Sequence, residues 1–386
     1  MTSGLLDLPW WGLIIATVVM AHITVMAVTL YLHRDQTHRG IDLHPVISHF
    51  YRFWLWLTSG MVTKEWVAVH RKHHARCETE DDPHSPQMVG LSKVLFQGAE
   101  LYQDEAAKQE TLDKYGRGTP DDWLEREIYT GRSYYGVFIM LFTDVILFGP
   151  IGLTIYAIQM ITIPVLAAGI VNGVGHYWGY RSFECKDAAT NVVPWGIVLG
   201  GEELHNNHHA FPSSAKFSLR SFEFDVGWLY IKIFLALGLV KIRRVAPAPV
   251  METERPYIDL DAVKAIVINR LHVLRAYSSG VMLPVMRKEL NAAGGRVRRL
   301  LTRDLCLLDD KAQENLGEIL NQSNALRTVY EFRQGLQRLW EGHTVSNDRL
   351  VQQFKDWCSR AEETGIEALQ RFAAELRRYR LQSRLN

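Results

Sequence analysis

The sequence predicts an all-α protein in two parts, a membrane-embedded helical portion and a soluble helical appendage. Three observations predict it: an uncharged run at residues 9–32, a second apolar stretch at 135–171, and a change after residue 250 to charge-rich helical periodicity. Whole-sequence averages hide the division: 47% of the 386 residues are hydrophobic and 22% charged, but the apolar ones concentrate before about residue 240. A formal net charge of +1 gives no reason to expect a nucleic-acid partner. The four cysteines (Cys77, Cys185, Cys306, Cys358) stand far apart with no CxxC pair. They read as buried or incidental thiols, not as a disulfide framework or zinc site.

Residues 9–32 form the first predicted span. A helix of that length rises about 36 Å at about 1.5 Å per residue, against a hydrocarbon core of about 30 Å. Trp10, Trp11 and Tyr31 sit at its ends, where interfacial aromatics belong. No basic region precedes it, so it is expected to remain in the mature protein. Residues 44–63 carry Phe50, Tyr51, Phe53, Trp54 and Trp56 beside Arg52, His44 and His49, which fits a helix lying in the interface. Residues 135–171, interrupted by Gly149-Pro150 and charged only at Asp144, read as a hairpin of two spans. Residues 245–250 are a stiff Pro-rich linker. Beyond it, Leu326, Val329, Tyr330, Leu336, Leu339 and Trp340 recur at helical spacing, as do Ile366, Leu369, Phe372, Leu376 and Tyr379. Gly294-Gly295 is the expected break.

Histidine is the informative residue. Of 15, eight fall in three clusters: His33 and His38; His70, His73 and His74; His205, His208 and His209. The last two share the pattern HxxHH, whose repetition by chance is improbable at this composition. In a helix, residues i and i+4 face the same way, so His70 and His74 can chelate one metal while His73 turns toward another. His205, His209 and His208 repeat the arrangement. Two metals close together are the natural reading; imidazoles alone do not choose between iron, copper, zinc and nickel. The clusters must share one membrane side, which three spans and an interfacial helix allow. Arg34, Arg39, Arg71, Lys72, Arg76, Arg243 and Arg244 make that side cytoplasmic.

HxxxxH, HxxHH and HxxHH in this order resemble the membrane fatty-acid desaturase family, over roughly residues 10–245. The likeness is closest to bacterial Δ9 acyl-lipid or acyl-CoA desaturases, through Glu65-Trp66, Glu78-Thr79, Asp82-Pro83-His84, Asn172 to Arg181, Glu203 to Pro212, and Gly238-Leu239. It implies a desaturase fold with a histidine-box cap and a division into residues 1–244 (membrane di-iron domain), 245–252 (linker) and 253–386 (soluble helical module). It further implies a multi-pass protein, in a bacterial inner membrane, that uses O2 and two iron ions to place a cis double bond, Δ9, in a saturated acyl chain. One iron would take His33, His38, His70, His74 and His208. The other would take His73, His176, His205 and His209, with Asn172 acting through water.

The C–H bond of a methylene in the middle of such a chain has no acidity, so acid–base catalysis cannot reach it. Redox metals can, while the protein ligates, excludes water and positions. Trp66, Trp178 and Trp195 would either line an acyl tunnel or pack at the interface. Glu65 and Glu203 are the leading carboxylates to orient ligand imidazoles, ahead of Asp35, Asp82 and Glu202. His22 and Asp144 are polar residues in spans, open to helix packing or function. His44, His49 and His84 match no ligand position. With no flavin, iron–sulfur or haem signature, a separate electron donor (ferredoxin or similar, with a flavin reductase) is implied. Ala68-Val69 stand where acyl-CoA enzymes of the family carry Arg-Asp, which leaves phospholipid and CoA as acyl carriers, phospholipid first. Residues 325–334 resemble C-terminal helices of some insertion-sequence transposases, and the module is read as docking or regulatory. Rival readings are a hydroxylase on the same scaffold and a membrane metal-binding or transport protein.

Overall fold

The computed structural model describes residues 4–253, 257–290, 294–341 and 346–381. Parts of the predicted C-terminal module (254–256, 291–293, 342–345 and 382–386) lie outside the described residues. The protein divides into two compact units, Met1–Arg181 with Asp187–Ala246, and Ser182–Lys186 with Pro247–Asn386. Both are predominantly helical, and the strands form two-stranded pairs of two or three residues.

In the first unit, helix Trp10–Met26 runs on into a π-helical segment, Ala27–Thr37. These 28 residues are long and apolar enough to cross a membrane. Ile14, Ile15, Val18 and Val19 are at least half exposed, an apolar surface that water disfavours. Ser133–His176 also passes by length and composition, and Val226–Ala236 is a shorter apolar helix.

Ser133–His176 is not one rod. The Gln159 amide donates to the Asp144 carboxylate at 2.9 Å, whereas fifteen residues of straight helix would hold them about 22 Å apart. The backbone reverses at Gly149-Pro150, where Gly149 takes φ 69°, a conformation glycine tolerates. Helices Ser133–Phe148 and Gly152–Ile163 therefore pack antiparallel. Their contact is close: a Cβ on Gly152 would lie 2.1 Å from the Asp144 carbonyl oxygen. Asp144 and Gln159 satisfy each other inside this hairpin, so Asp144 serves packing.

Residues 45–59 form a helix begun by Pro45, with the His44 ring accepting from Val46 N at 3.3 Å, and ended by Gly60 at φ 63°. His44 is thus a cap. Arg52 on this helix is buried and pairs with Asp122 at 2.7 Å and Glu125 at 2.9 Å. Its charge is therefore met by protein carboxylates.

The second unit has its own core. Leu326, Val329, Tyr330 and Leu336 bury one face of helix Asn324–Glu341, against Phe354, Trp357, Phe372 and Leu376 from the two following helices. Two boundaries differ from expectation. Val250-Met251 of the predicted linker pairs antiparallel with Tyr379-Arg380, because backbone amides flanking the prolines remain free to join a strand edge. Residues 182–186 join the second unit although they lie deep in the first by sequence.

Candidate metal centre

The first two histidines sit on the π-helical segment. In an α-helix, positions i and i+5 point about 140° apart; i→i−5 bonding widens the turn and brings them together. His38 N donates to His33 O at 3.1 Å, the hydrogen bond of that widened turn. The two rings then approach to 5.0 Å between centroids. His70, His73 and His74 come from helix Thr63–Arg76, whose spacing turns His70 and His74 to one face, their Nε2 atoms 3.1 Å apart. His205, His208 and His209 come from the short buried helix His205–Ala210, and His176 from the turn after the apolar hairpin.

The nine histidines singled out in the sequence lie in one cluster. His33, His38, His70, His74 and His208 each offer a nitrogen, all within 4.8 Å of one another. His73, His176 and His209, joined by the Cys77 thiol, form a second such group, and His205 meets it through His176 at 2.9 Å. Asn172 lines the adjoining cavity.

Carboxylates fix four of the rings. Glu202 accepts from His33 Nδ1 at 2.7 Å, Asp82 from His73 at 2.9 Å, Glu78 from His176 at 3.0 Å and Asp187 from His209 at 3.2 Å. Each places the ring proton on Nδ1 and leaves Nε2 bare, a device that orients and tunes the imidazoles of metal sites. His73 and His176 then direct two lone pairs at each other across 3.2 Å, an arrangement that calls for a cation. Two nitrogens at right angles about 2.1 Å from one metal stand about 3.0 Å apart, and the Nε2 pairs here span 2.9–3.2 Å. His38 Nε2 and His209 Nε2 are buried with no hydrogen-bond partner. The residues fit metal ions.

Protonation agrees. Burial, then neighbouring histidines, pushes His38, His70, His74, His205, His208 and His209 well below the usual imidazole range. They are neutral, the form that binds a metal. Burial alone would lower His73 too, but the Asp82 carboxylate overrides it and carries His73 upward.

The leading carboxylates are corrected. Glu203 accepts from Val198 N and Leu199 N at 2.8 Å, bracing the backbone before the third cluster. Glu65 faces the cavity, and burial raises its carboxyl. Sequence reasoning ranked Asp82 and Glu202 low, noted Glu78 only within the family likeness, set Cys77 and His84 aside, and gave Asp187 no role. His84 stacks on His73 at 4.5 Å, and burial pushes it down to about 3. Only Cys77 left a signal, four residues after His73.

A cavity of about 460 Å³ opens onto this cluster, touching His33, His70, His84 and His205. Val28, Met61, Met160, Ile163, Ala167 and Val171 give it apolar wall, beside polar groups such as Tyr102 and Gln103. Trp66 lines it and stacks on His70 at 4.9 Å. Trp178 and Trp195 are exposed.

Fold and site together define a helical protein built around a buried histidine cage. The family model described as fatty acid desaturase matches residues 8–223, more than half of the sequence. The protein belongs to the membrane fatty-acid desaturase family. It is 31% identical over 225 residues to a probable chloroplastic lipid desaturase of Arabidopsis thaliana, covering 57% of this protein and 60% of that one. A Delta-9 acyl-lipid desaturase of the same plant is 27% identical over 234 residues, with 59% and 74% covered. An icosanoyl-CoA 5-desaturase of Limnanthes douglasii is 30% identical over 233 residues, with 56% and 60% covered. The protein thus spans about 60% of the length of the first and last of these. A family model described as transposase matches residues 261–383.

Proposed function

We propose that the protein is an O2-dependent fatty-acyl desaturase that places a cis double bond, Δ9, in a saturated acyl chain by means of two histidine-held iron ions. The observation that carries this reading is the apolar cavity ending on His33, His70 and His205. An alkyl tail has nothing to hydrogen-bond, so an apolar wall is what can hold it. His33, His38, His70, His74 and His208 would hold one iron; His73, His176, His205 and His209 the other, with Asn172 in its outer sphere. When bound, the irons supply reduction of O2 and removal of two hydrogen atoms. The protein's own groups do the rest: Glu202, Asp82, Glu78 and Asp187 keep the imidazoles in one tautomer, and Trp66 stacks over His70.

The spans would be Trp10–Thr37 and the two arms of the hairpin, in a bacterial inner membrane, with the cage on the cytoplasmic side. Electrons come from a separate carrier of ferredoxin type. Relatives named for acyl-lipid and for acyl-CoA substrates both match; Ala68-Val69 before the second cluster favours a phospholipid-borne acyl group over CoA. The proposal rests on the first unit alone.

The test is expression with a reductase and ferredoxin in a host without its own desaturase, followed by mass spectrometry of total lipid. Monounsaturated acyl groups that vanish with His208→Ala are expected. Hydroxylated products without new double bonds would reject desaturation, and full activity in His208→Ala would reject the metal assignment.

A further inference from the structure

Arg333, on helix Asn324–Glu341 of the second unit, is only 1% exposed. A guanidinium carries five donors and no acceptor. Here Nη2 donates to the Thr302 carbonyl, while Nε is buried with no hydrogen-bond partner. Glu184 and Asp304 act on it through space, and burial pulls it below the ordinary guanidinium range. Among the described residues, no carboxylate pairs with it directly. A charge buried in this way is costly until an acceptor meets it.

Arg333 borders a cavity of about 330 Å³ whose lining residues all belong to the second unit. Gln334, Gln337, Arg338 and Glu341 give it one wall, three and four residues apart and so on one face of the helix. The two carboxylates that line it are already occupied. Glu341 accepts from Lys186 Nζ at 2.9 Å, and Asp304 accepts from Cys306 N at 3.3 Å and from Gln337 Nε2 at 3.4 Å. Arg338 is exposed and, like Arg333, has no carboxylate partner among the described residues. Two guanidiniums on one wall thus stay uncommitted.

We propose that this cavity is a binding site for a phosphate-type oxyanion, free phosphate or a small phosphomonoester, with Arg333 and Arg338 as its cationic contacts. Such a group brings about 1.5–2 negative charges near neutral pH and three strong acceptor oxygens. That is enough to serve both guanidiniums, whose planar forks match phosphate oxygens two at a time. A carboxylate has two oxygens, and one guanidinium would use both. The ligand supplies the acceptor that the fold withholds from Arg333. Nucleic acid fits less well, because the lining carries both signs of charge and the whole sequence has a formal net charge of +1. Arg333 and Arg338 lie outside residues 8–223, so the inference stands apart from the desaturase reading.

The experiment titrates the full-length protein, purified in detergent, with inorganic phosphate and separately with glycerol 3-phosphate. Calorimetry reads the binding, with sodium chloride at matched ionic strength as the reference. Wild type is expected to bind phosphate saturably at one site, beyond any response to chloride. The tighter of the two ligands then shows whether the site takes the free or the esterified group. Arg333→Gln and Arg338→Ala are each expected to weaken binding roughly tenfold or more, the usual worth of a hydrogen bond to a charged group. Arg338 is exposed, so its variant decides the matter where Arg333→Gln fails to fold. No saturable binding beyond the chloride response would overturn the inference, and so would wild-type phosphate affinity in Arg338→Ala. A short DNA duplex that binds where neither phosphate ligand does, and is lost in Arg338→Ala, would overturn it in favour of a nucleic-acid site.

Discussion

His73 and His176 face each other through Nε2 atoms 3.2 Å apart, and each commits its other ring nitrogen to a carboxylate, Asp82 for one and Glu78 for the other. With both rings neutral, such a pair has no proton to share. It behaves as a preformed chelate whose donors are held in place by charge.

Asp82→Asn should weaken metal binding roughly 10–100-fold, the usual effect of removing such a partner. The amide can offer a proton to His73 Nδ1 and so favour the wrong tautomer. Chelator competition monitored by iron release measures this directly; unchanged release rates would show that Asp82 does not set the tautomer.

Acid should destabilise the metal-free protein. Seven histidines of the cage and its edge, His84 among them, are lowered by burial in the folded state, so below their unfolded value of about 6.5 the unfolded state takes up protons that the folded one refuses. Each then removes up to about 1.4 kcal/mol per pH unit. His73, raised by Asp82, works in the opposite direction: its stabilisation is present below the unfolded value and is lost as pH rises through the folded one. With seven against one, the melting temperature of the apoprotein should fall steeply from about pH 6.5 toward about pH 5, while His73 alone lowers it slightly as pH rises above about 7. A flat profile across that range would mean that the imidazoles are not buried neutral.

Arg34 and Asp225 form a fully buried pair at 2.9 Å, with the guanidinium 3.9 Å above the Phe217 ring. Phe217 in turn packs on His208 at 4.9 Å. Asp225→Ala leaves an uncompensated buried charge and should cost about 3–5 kcal/mol. Denaturant titration of the purified protein would show it, and a loss below about 1 kcal/mol would argue that water reaches Arg34.

Ala167 lines the apolar wall of the cavity, on the π-helical turn Pro164–Val171. Ala167→Leu should shorten the acyl tail accepted, shifting the product profile toward shorter monoenes while iron content stays unchanged. Gas chromatography of products from mixed substrates is the check, and an unaltered profile would place the acyl tail elsewhere.

What the sequence made legible follows from distance along it. The pairing of His70 with His74 is a matter of one helical turn, and it is visible in the spacing. The reversal at Gly149-Pro150 was visible too, because glycine and proline together interrupt an apolar run. Glu78 with His176 and Asp187 with His209 were not visible, because |i−j| is 98 for one and 22 for the other and no local rule links them. Glu65 and Glu203 were ranked first among the acidic neighbours of the clusters, yet their carboxylates turn to the cavity and to backbone amides. The widened turn at Ala27–Thr37 left no pattern of its own, since an α-helical reading of HxxxxH sends the two rings apart.

Glu202, Asp82, Glu78 and Asp187, taken together, bring four carboxylates to the imidazoles of the cage. Two divalent cations would carry four positive charges. Loaded, the cage is electroneutral in surroundings where net charge is costly; emptied, it becomes a buried polyanion. Folding and metal uptake are then one electrostatic event, and the easiest relief for an emptied cage is to gather a proton on His73, which Asp82 already carries upward.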